Sequence, residues 1–364
     1  MFVIALLLVV GIFAACHFYL AKKLHGGLRY FFPRLPLYAV LIPFGLLLAL
    51  FFCGLTARGL LQAVGACVMG VFFVFLEASL FSDGLFLLLY PLTRRRLSKA
   101  LRRALSAGLA VALTLVFSVV GFLSASRISL TEYRLSEEPS LRIAFFSDLH
   151  LGAAGSEGRL ERIVRTVNAQ KPDVVLLGGD IFDSDFTKIA DPDRAAALLS
   201  GLESRYGTFA CAGNHDAGET VPQMLDFLEK SKIRLLRDEA VTVEERFVLV
   251  GRRDRSPIGS FDGTARLPMN QIPLPEGDLP VIVLDHNPAE ADAYGAGIRL
   301  VLSGHTHKGQ IFPAQLVTEL LFPIDYGLAR FSPEGPQVIV SSGIGYWGMP
   351  LRLFTKSELV LIEL

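Results

Sequence analysis

Two histidines one residue apart, His305 and His307, follow the apolar run Ile298-Arg299-Leu300-Val301-Leu302 through Ser303 and Gly304. The run reads as a short buried strand that ends in a glycine turn. Such a turn sends both imidazoles into the crevice beyond the strand's carboxyl end, where open α/β sheets keep their ligands. A lone His-x-His suits a solvated loop just as well; its company is what matters. Of the chain's seven histidines, five (His150, His215, His286, His305, His307) come just after strand-like runs in the second half, four with Asp or Asn close by. Collected, these run ends offer Asp148, His150, Asp180, Asn214, His286, His305 and His307, with His215 left over. Mixed imidazole and carboxylate donors suit Mn, Fe, Zn or Ni rather than Ca or Mg alone. They are too many for one tetrahedral zinc and enough for two metals that share a bridging carboxylate. Two metals about 3.5–4 Å apart can hold a bridging hydroxide and clamp the attacking and leaving oxygens of a phosphoryl centre. That is the chemistry of phosphate-ester hydrolysis.

The elements that must position these residues follow in order. Residues 141–146 form a buried strand leading into Ser147-Asp148-Leu149-His150-Leu151-Gly152. If the backbone stays extended there, the i, i+2 spacing points Asp148 and His150 the same way. A helix over 158–169 precedes the strand 174–177, which runs into Gly178-Gly179-Asp180-Ile181-Phe182-Asp183. A helix over 193–205 precedes the strand 208–212, which ends in Gly213-Asn214-His215-Asp216. After a helix near 220–230, charge-rich extended segments reach about residue 254 and give way to a Pro/Gly-rich loop. The strand 280–284 leads into Asp285-His286-Asn287-Pro288, the strand 298–302 into His305 and His307, and runs near 337–342 and 359–364 close the chain. Strands alternating with helices, with polar clusters at the strand tips, indicate an α/β layered domain over residues 141–364.

The first 127 residues are a different object. The chain is neutral overall, yet residues 1–127 carry twelve basic and two acidic side chains, leaving 23 basic and 33 acidic for the rest. Residues 1–20 contain no charged side chain, and about twenty apolar residues span a bilayer. A cleaved signal peptide fits poorly, because no basic n-region precedes the run and further apolar segments follow. Residues 36–57, about 60–92 and 104–126 make three more, for about four transmembrane helices. The third is long for one helix and contains Glu77 and Asp83, so it tilts, breaks near Ser82-Asp83-Gly84 or continues along the interface. Residues 128–140 read as a strand and linker. Basic residues crowd the segments 21–35 and 93–103, against Arg58 alone between the second and third spans. The positive-inside rule then keeps both basic loops in the cytoplasm and both chain ends on the opposite face. The ordinary partner of such loops is acidic phospholipid rather than nucleic acid. The four cysteines, three of them in apolar stretches of this region, make no disulfide framework.

The blocks SDLHLG, GGDIFD, GNHD, DHNP and SGHTHKGQ, in this order, resemble the calcineurin-like metallophosphoesterase family. More closely they resemble its bacterial branch with N-terminal membrane spans and an extracytoplasmic phosphodiesterase-type domain. The resemblance covers residues 141–364 and implies a four-layer α/β sandwich, two β-sheets flanked by helices. It also implies roles. Asp148, His150 and His307 would bind one divalent metal ion, Asp180 would bridge, and Asn214, His286 and His305 would complete the site of a second. His215 would protonate the departing alkoxide, while Asp183 and Asp216 would orient loops or imidazoles behind the ligands.

Two positions depart from the pattern. Lys308 stands where relatives carry glycine, and either meets a substrate phosphate or points to solvent. Arg352 lies in a C-terminal block that only partly matches, and pairs with phosphate or with a carboxylate. The resemblance implies an integral protein of a bacterial inner membrane with an extracytoplasmic catalytic domain. Its substrate would be a phosphate ester, lipid-linked or derived from the envelope. The apolar stretch from Phe312 to Phe322 either dips into lipid or packs as core. Two other readings share the fold: a pyrophosphatase of the UDP-2,3-diacylglucosamine type, which needs a cytoplasmic site, and a non-catalytic membrane sensor.

Overall fold

The computed structural model describes the backbone of residues 2–364 and the side chains of residues 8–364. Met1, where the first expected span begins, lies outside the described residues. The chain divides into two compact units, Met1–Gly121 and Phe122–Leu364.

The first unit holds α1 (Phe2–Leu28), α2 (Tyr38–Thr56), α3 (Leu60–Leu88), the single turn α4 (Tyr90–Thr93) and most of α5 (Lys99–Ser126). Four of these, α1, α2, α3 and α5, are long and apolar enough to cross a membrane. The long third segment stays one helix and runs unbroken through Ser82-Asp83-Gly84. The Asp83 carboxylate at that point is met in place. Asp83 accepts from Lys23 and Tyr19 of α1 and from Ser106 of α5, so the helix has no need to open around a bare carboxylate.

The second unit contains two six-stranded sheets. Strands β1 (Ile128–Arg134), β2 (Arg142–Phe146), β3 (Val174–Gly178), β4 (Thr208–Cys211), β5 (Ile233–Leu236) and β12 (Ser357–Glu363) form one, in the order β1-β12-β2-β3-β4-β5. Strands β6 (Glu239–Val243), β7 (Phe247–Gly251), β8 (Val281–Leu284), β9 (Leu300–Ser303), β10 (Gly327–Ala329) and β11 (Gln337–Val340) form the other, in the order β10-β11-β9-β8-β7-β6. The neighbours β2-β3-β4-β5 and β7-β8-β9-β11 run parallel. Their polar tips therefore all emerge at one end of the sandwich.

Side-chain alternation sorts the layers. Ile143 and Phe145 of β2 point inward with Leu176, Ile282, Leu302 and Ile339, making the core between the sheets. Ala144 and Phe146 point outward and pack under α6 (Leu160–Asn168), α7 (Pro192–Leu199) and α8 (Val221–Lys230). On the far side Val250, Val283 and Val301 are covered by Ile272, Ala291 and Tyr294. This is the expected sandwich of two sheets. The strand expected at the start of 128–140 is a full edge strand over residues 128–134, paired in parallel with β12 from Ile128↔Ser357 to Arg134↔Glu363. The stretch expected to dip into lipid or pack as core contains a helix, α9 (Ala314–Leu321).

Candidate active site

Loops at the carboxyl ends of β2, β3, β4, β8 and β9 carry the residues singled out above, and they meet. On one side, the Nε2 atoms of His150 and His307 face each other at 3.1 Å, with Asp148 Oδ1 3.4 Å from His307 Nε2. On the other, Asn214 Oδ1 lies 3.2 Å from His286 Nε2 and 2.7 Å from His305 Nδ1, and those two nitrogens are 3.3 Å apart. Asp180 stands between, its Oδ2 3.8 Å from His150 Nε2 and 3.2 Å from His286 Nε2. Asp148, His150 and His286 are fully buried and Asp180 is 2 % exposed.

The backbone achieves this convergence by an unusual route. Asp148, His150, Asp180, His305 and His307 all have left-handed φ, between 49° and 72°. Non-glycine residues rarely adopt it, although Asp and His do so more readily than most, and each such residue costs roughly 1–3 kcal/mol. The extended path considered for Asp148 to His150 is thus not taken; each residue turns its side chain into the cluster on its own. Glycines make the room. A Cβ on Gly213 would overlap the Asp180 carboxylate, and one on Gly304 would overlap Ser147 Oγ and Asp148 Oδ2.

The donor set fits divalent cations. Asp148, His150 and His307 place three ligand atoms within 4.8 Å of one another, and so do Asp180, His286 and His305. Opposed imidazole nitrogens at 3.1–3.3 Å cannot all be donors, and few donors reach the two buried carboxylates. Outer contacts leave lone pairs directed inward: His286 Nδ1 is 2.8 Å from Gly178 O and His150 Nδ1 3.2 Å from Asp183 Oδ1. Such outer partners fix the tautomer of a metal-binding imidazole. Asp216 accepts from Phe182 N and Gly213 N, both at 2.8 Å, and so ties the loop after β3 to the loop after β4.

Residues 141–309 match the calcineurin-like phosphoesterase family. An "uncharacterized metallophosphoesterase" of Aquifex aeolicus is 33% identical over 251 residues, covering 67% of this chain and 92% of that protein. The chain belongs to the calcineurin-like phosphoesterases. A bovine "transmembrane protein with metallophosphoesterase domain" is 33% identical, over 74% of this chain and 64% of its own length. "Phosphodiesterase YaeI" of Escherichia coli is 31% identical, over 61% of this chain and 82% of its own. Several curated relatives are spanned for less than two thirds of their own length, from 49% to 64%.

In this calcineurin-like domain the electrostatics divide the imidazoles. Burial and the charge of neighbouring His286 push the His305 pKa down to about 3. Burial, then His150 and Arg352, pushes that of His307 well below the ordinary value. Both are held in the neutral form, the one in which an imidazole can bind a metal. Burial works against charge on His286 too, but the Asp180 carboxylate overrides it and raises the pKa. His215 is half-buried at the edge of the cluster. Its backbone N–H donates to Asp180 Oδ1 at 2.8 Å, its Nδ1 is 2.7 Å from Ser184 Oγ, and burial lowers its pKa.

The two departures from the family pattern both have partners within the protein. Lys308 Nζ sits over the Tyr326 ring, 4.1 Å from its centroid. Arg352 is completely buried and donates to the carbonyls of Ser342 at 2.6 Å and Gly345 at 2.9 Å, with Nη2 3.2 Å from His307 Nδ1. It holds the loop after β11 against His307, an arrangement of backbone carbonyls that no residue spacing announces. Ser147, whose Oγ donates to Asp148 Oδ2, and Ser184 were also missed. Both sit inside or beside the SDLHLG and GGDIFD blocks, and that adjacency was the available signal.

Proposed function

We propose that the chain is a membrane-anchored hydrolase of phosphate esters that works with two divalent cations, its substrates phosphodiesters or lipid-linked phosphates met on the extracytoplasmic side. One observation carries the reading: Asp148, His150 and His307 gather one group of ligand atoms and Asp180, His286 and His305 another, with Asp180 Oδ2 also 3.8 Å from His150 Nε2. In it Asp148, His150 and His307 would hold one cation and Asn214, His286 and His305 the other, with Asp180 available to both. Bound there, the cations supply positive charge to the phosphoryl oxygens and lower the pKa of water.

The chain's own groups do the rest. Left-handed backbone at five of the ligand residues fixes the donors before substrate arrives, so little rearrangement is needed. Ser184 engages His215 Nδ1, leaving Nε2 as the nitrogen that passes a proton to the leaving-group oxygen. A phosphate anion beside the ring opposes the depression of its pKa and favours the protonated form. The Escherichia coli relative named a phosphodiesterase supports diesters, and the basic loops at 21–35 and 93–103 support the orientation.

The test uses the full chain in detergent, loaded with Mn, on a soluble aryl phosphodiester. His215→Ala lowers kcat by about 10²–10⁴ without lowering bound metal measured by mass spectrometry. Turnover that survives complete removal of metal would overturn the reading.

A further inference from the structure

The helix α9 is built inside out. Its buried residue is Gln315, whose Nε2 donates to Leu353 O at 2.8 Å, and Thr318 donates to Asp325 Oδ2 at 2.8 Å. Leu316, Leu320 and Leu321 face outward, Leu320 with 87 % of its surface exposed. A helix on a water-facing surface does the reverse and turns its apolar stripe to the core. The patch continues beyond the helix. Phe312 and Phe354 meet edge to face at 5.9 Å and are both exposed, as is Trp347, whose backbone N–H donates to Gln310 Oε1 at 2.8 Å. It reaches the metal cluster at two points: the Phe322 ring is 5.7 Å from His305, and the Trp347 ring is 6.4 Å from His215. A contiguous apolar surface of this kind marks an interaction site.

The chain itself says what covers it. Four helices long and apolar enough to cross a bilayer precede the domain, α5 ends at Ser126 and β1 begins at Ile128. Arg127 is the whole connection. A lipid surface is therefore within reach of the domain at all times, and tryptophan at the edge of an apolar patch suits the headgroup level. We propose that α9, with Phe312, Trp347 and Phe354, seats in the bilayer and presents the metal cluster to phosphate esters of the lipid surface. The seating stands by itself; only the substrate class rests on the phosphoesterase reading.

Trp347 is the one tryptophan of the chain, which makes it a built-in reporter. The full chain is reconstituted in phosphatidylcholine nanodiscs whose acyl chains are brominated or plain. The proposal expects brominated chains to reduce Trp347 fluorescence about twofold, and aqueous acrylamide to quench it weakly. The double variant Leu320→Glu, Leu321→Glu, at exposed positions, abolishes the bromine effect. It also lowers turnover of a phosphodiester lipid in the disc about tenfold and leaves that of a soluble aryl phosphodiester unchanged. Quenching by acrylamide alone overturns the proposal. Protection of Trp347 from both quenchers also overturns it, in favour of a second copy on this face. Equal loss on the two substrates shows that the face does not serve the bilayer. Bromine quenching with no turnover of either substrate leaves the seating intact and removes the phosphoesterase reading instead.

Discussion

The catalytic domain buries two clusters of carboxylates, and they are satisfied in opposite ways. In the first, Asp238 accepts from Arg252 Nε at 3.1 Å and from the backbone of Arg253 and Leu267. Nearby, Asp285 accepts a two-pronged guanidinium from Arg266 at 2.7 and 2.8 Å and the Tyr294 hydroxyl at 2.6 Å. Guanidinium is permanently charged, so both of these acids have a fixed countercharge supplied by the chain. In the second, Asp148 and Asp180 are just as buried, yet the side chains closing on them are mostly imidazoles, and burial holds two of those neutral. The first cluster is complete as folded. In the reading proposed above, the second is completed by cations brought from outside, and that difference would separate a structural acid from a ligand.

Substitutions can break this contrast. The largest effect falls on Asp180→Asn: turnover drops to background and bound metal falls, while the metal-free protein unfolds at the same temperature or higher. The amide keeps the contact to His215 N, and His286, whose pKa the Asp180 carboxylate raises, can shed its proton along with that charge. A lower melting temperature in the metal-free protein would place Asp180 with the structural acids. Asp285→Ala should show the opposite pattern, a loss of about 1–3 kcal/mol in denaturant unfolding because Arg266 and the Tyr294 hydroxyl lose their shared acceptor, with metal per folded molecule unchanged. His286 is next in sequence, so loss of metal in that variant would join the two clusters into one.

The smallest effect lies at the rim, where Asp262 takes both prongs of Arg253 at 2.7 and 2.9 Å. The hydrogen bond from Arg253 holds the Asp262 pKa down to about 2. A carboxyl lowered on folding stabilises above its unfolded pKa of about 3.9, and the benefit vanishes as pH falls through the folded value. Because the side chain is partly exposed and screened, Asp262→Asn should cost under about 1 kcal/mol near pH 6 and nothing near pH 2. A cost that persists at pH 2 would mean the contact is not electrostatic.

Much of this was legible in the chain because apolar runs and polar tips coincide. Runs such as 141–146 and 174–177 fall on β2 and β3, and the clusters that follow supply Asp148, His150 and Asp180. What stayed hidden was conformation. A left-handed φ at Asp148 or His305 is set by loops closing from the opposite sheet, so no local pattern encodes it. Arg352 is a similar case. An arginine in a loop suggests an anionic partner, but the carbonyls it holds are assembled only when the loop after β11 folds back on His307. The reversed polarity of α9 was also invisible, since a sequence shows apolar residues without saying which way they point.

The pairing of β1 with β12 has a practical consequence for anyone who wants the hydrolase without its helices. A fragment that starts at residue 141 would strip the outer partner from a seven-residue strand rich in Leu, Val and Ile. It would also remove Thr131, whose hydroxyl donates to the buried Glu358 at 2.7 Å. An unprotected strand of that composition invites intermolecular pairing, so such a fragment should come out of cells as aggregate. Cutting before Ile128 keeps the rim of the sheet closed.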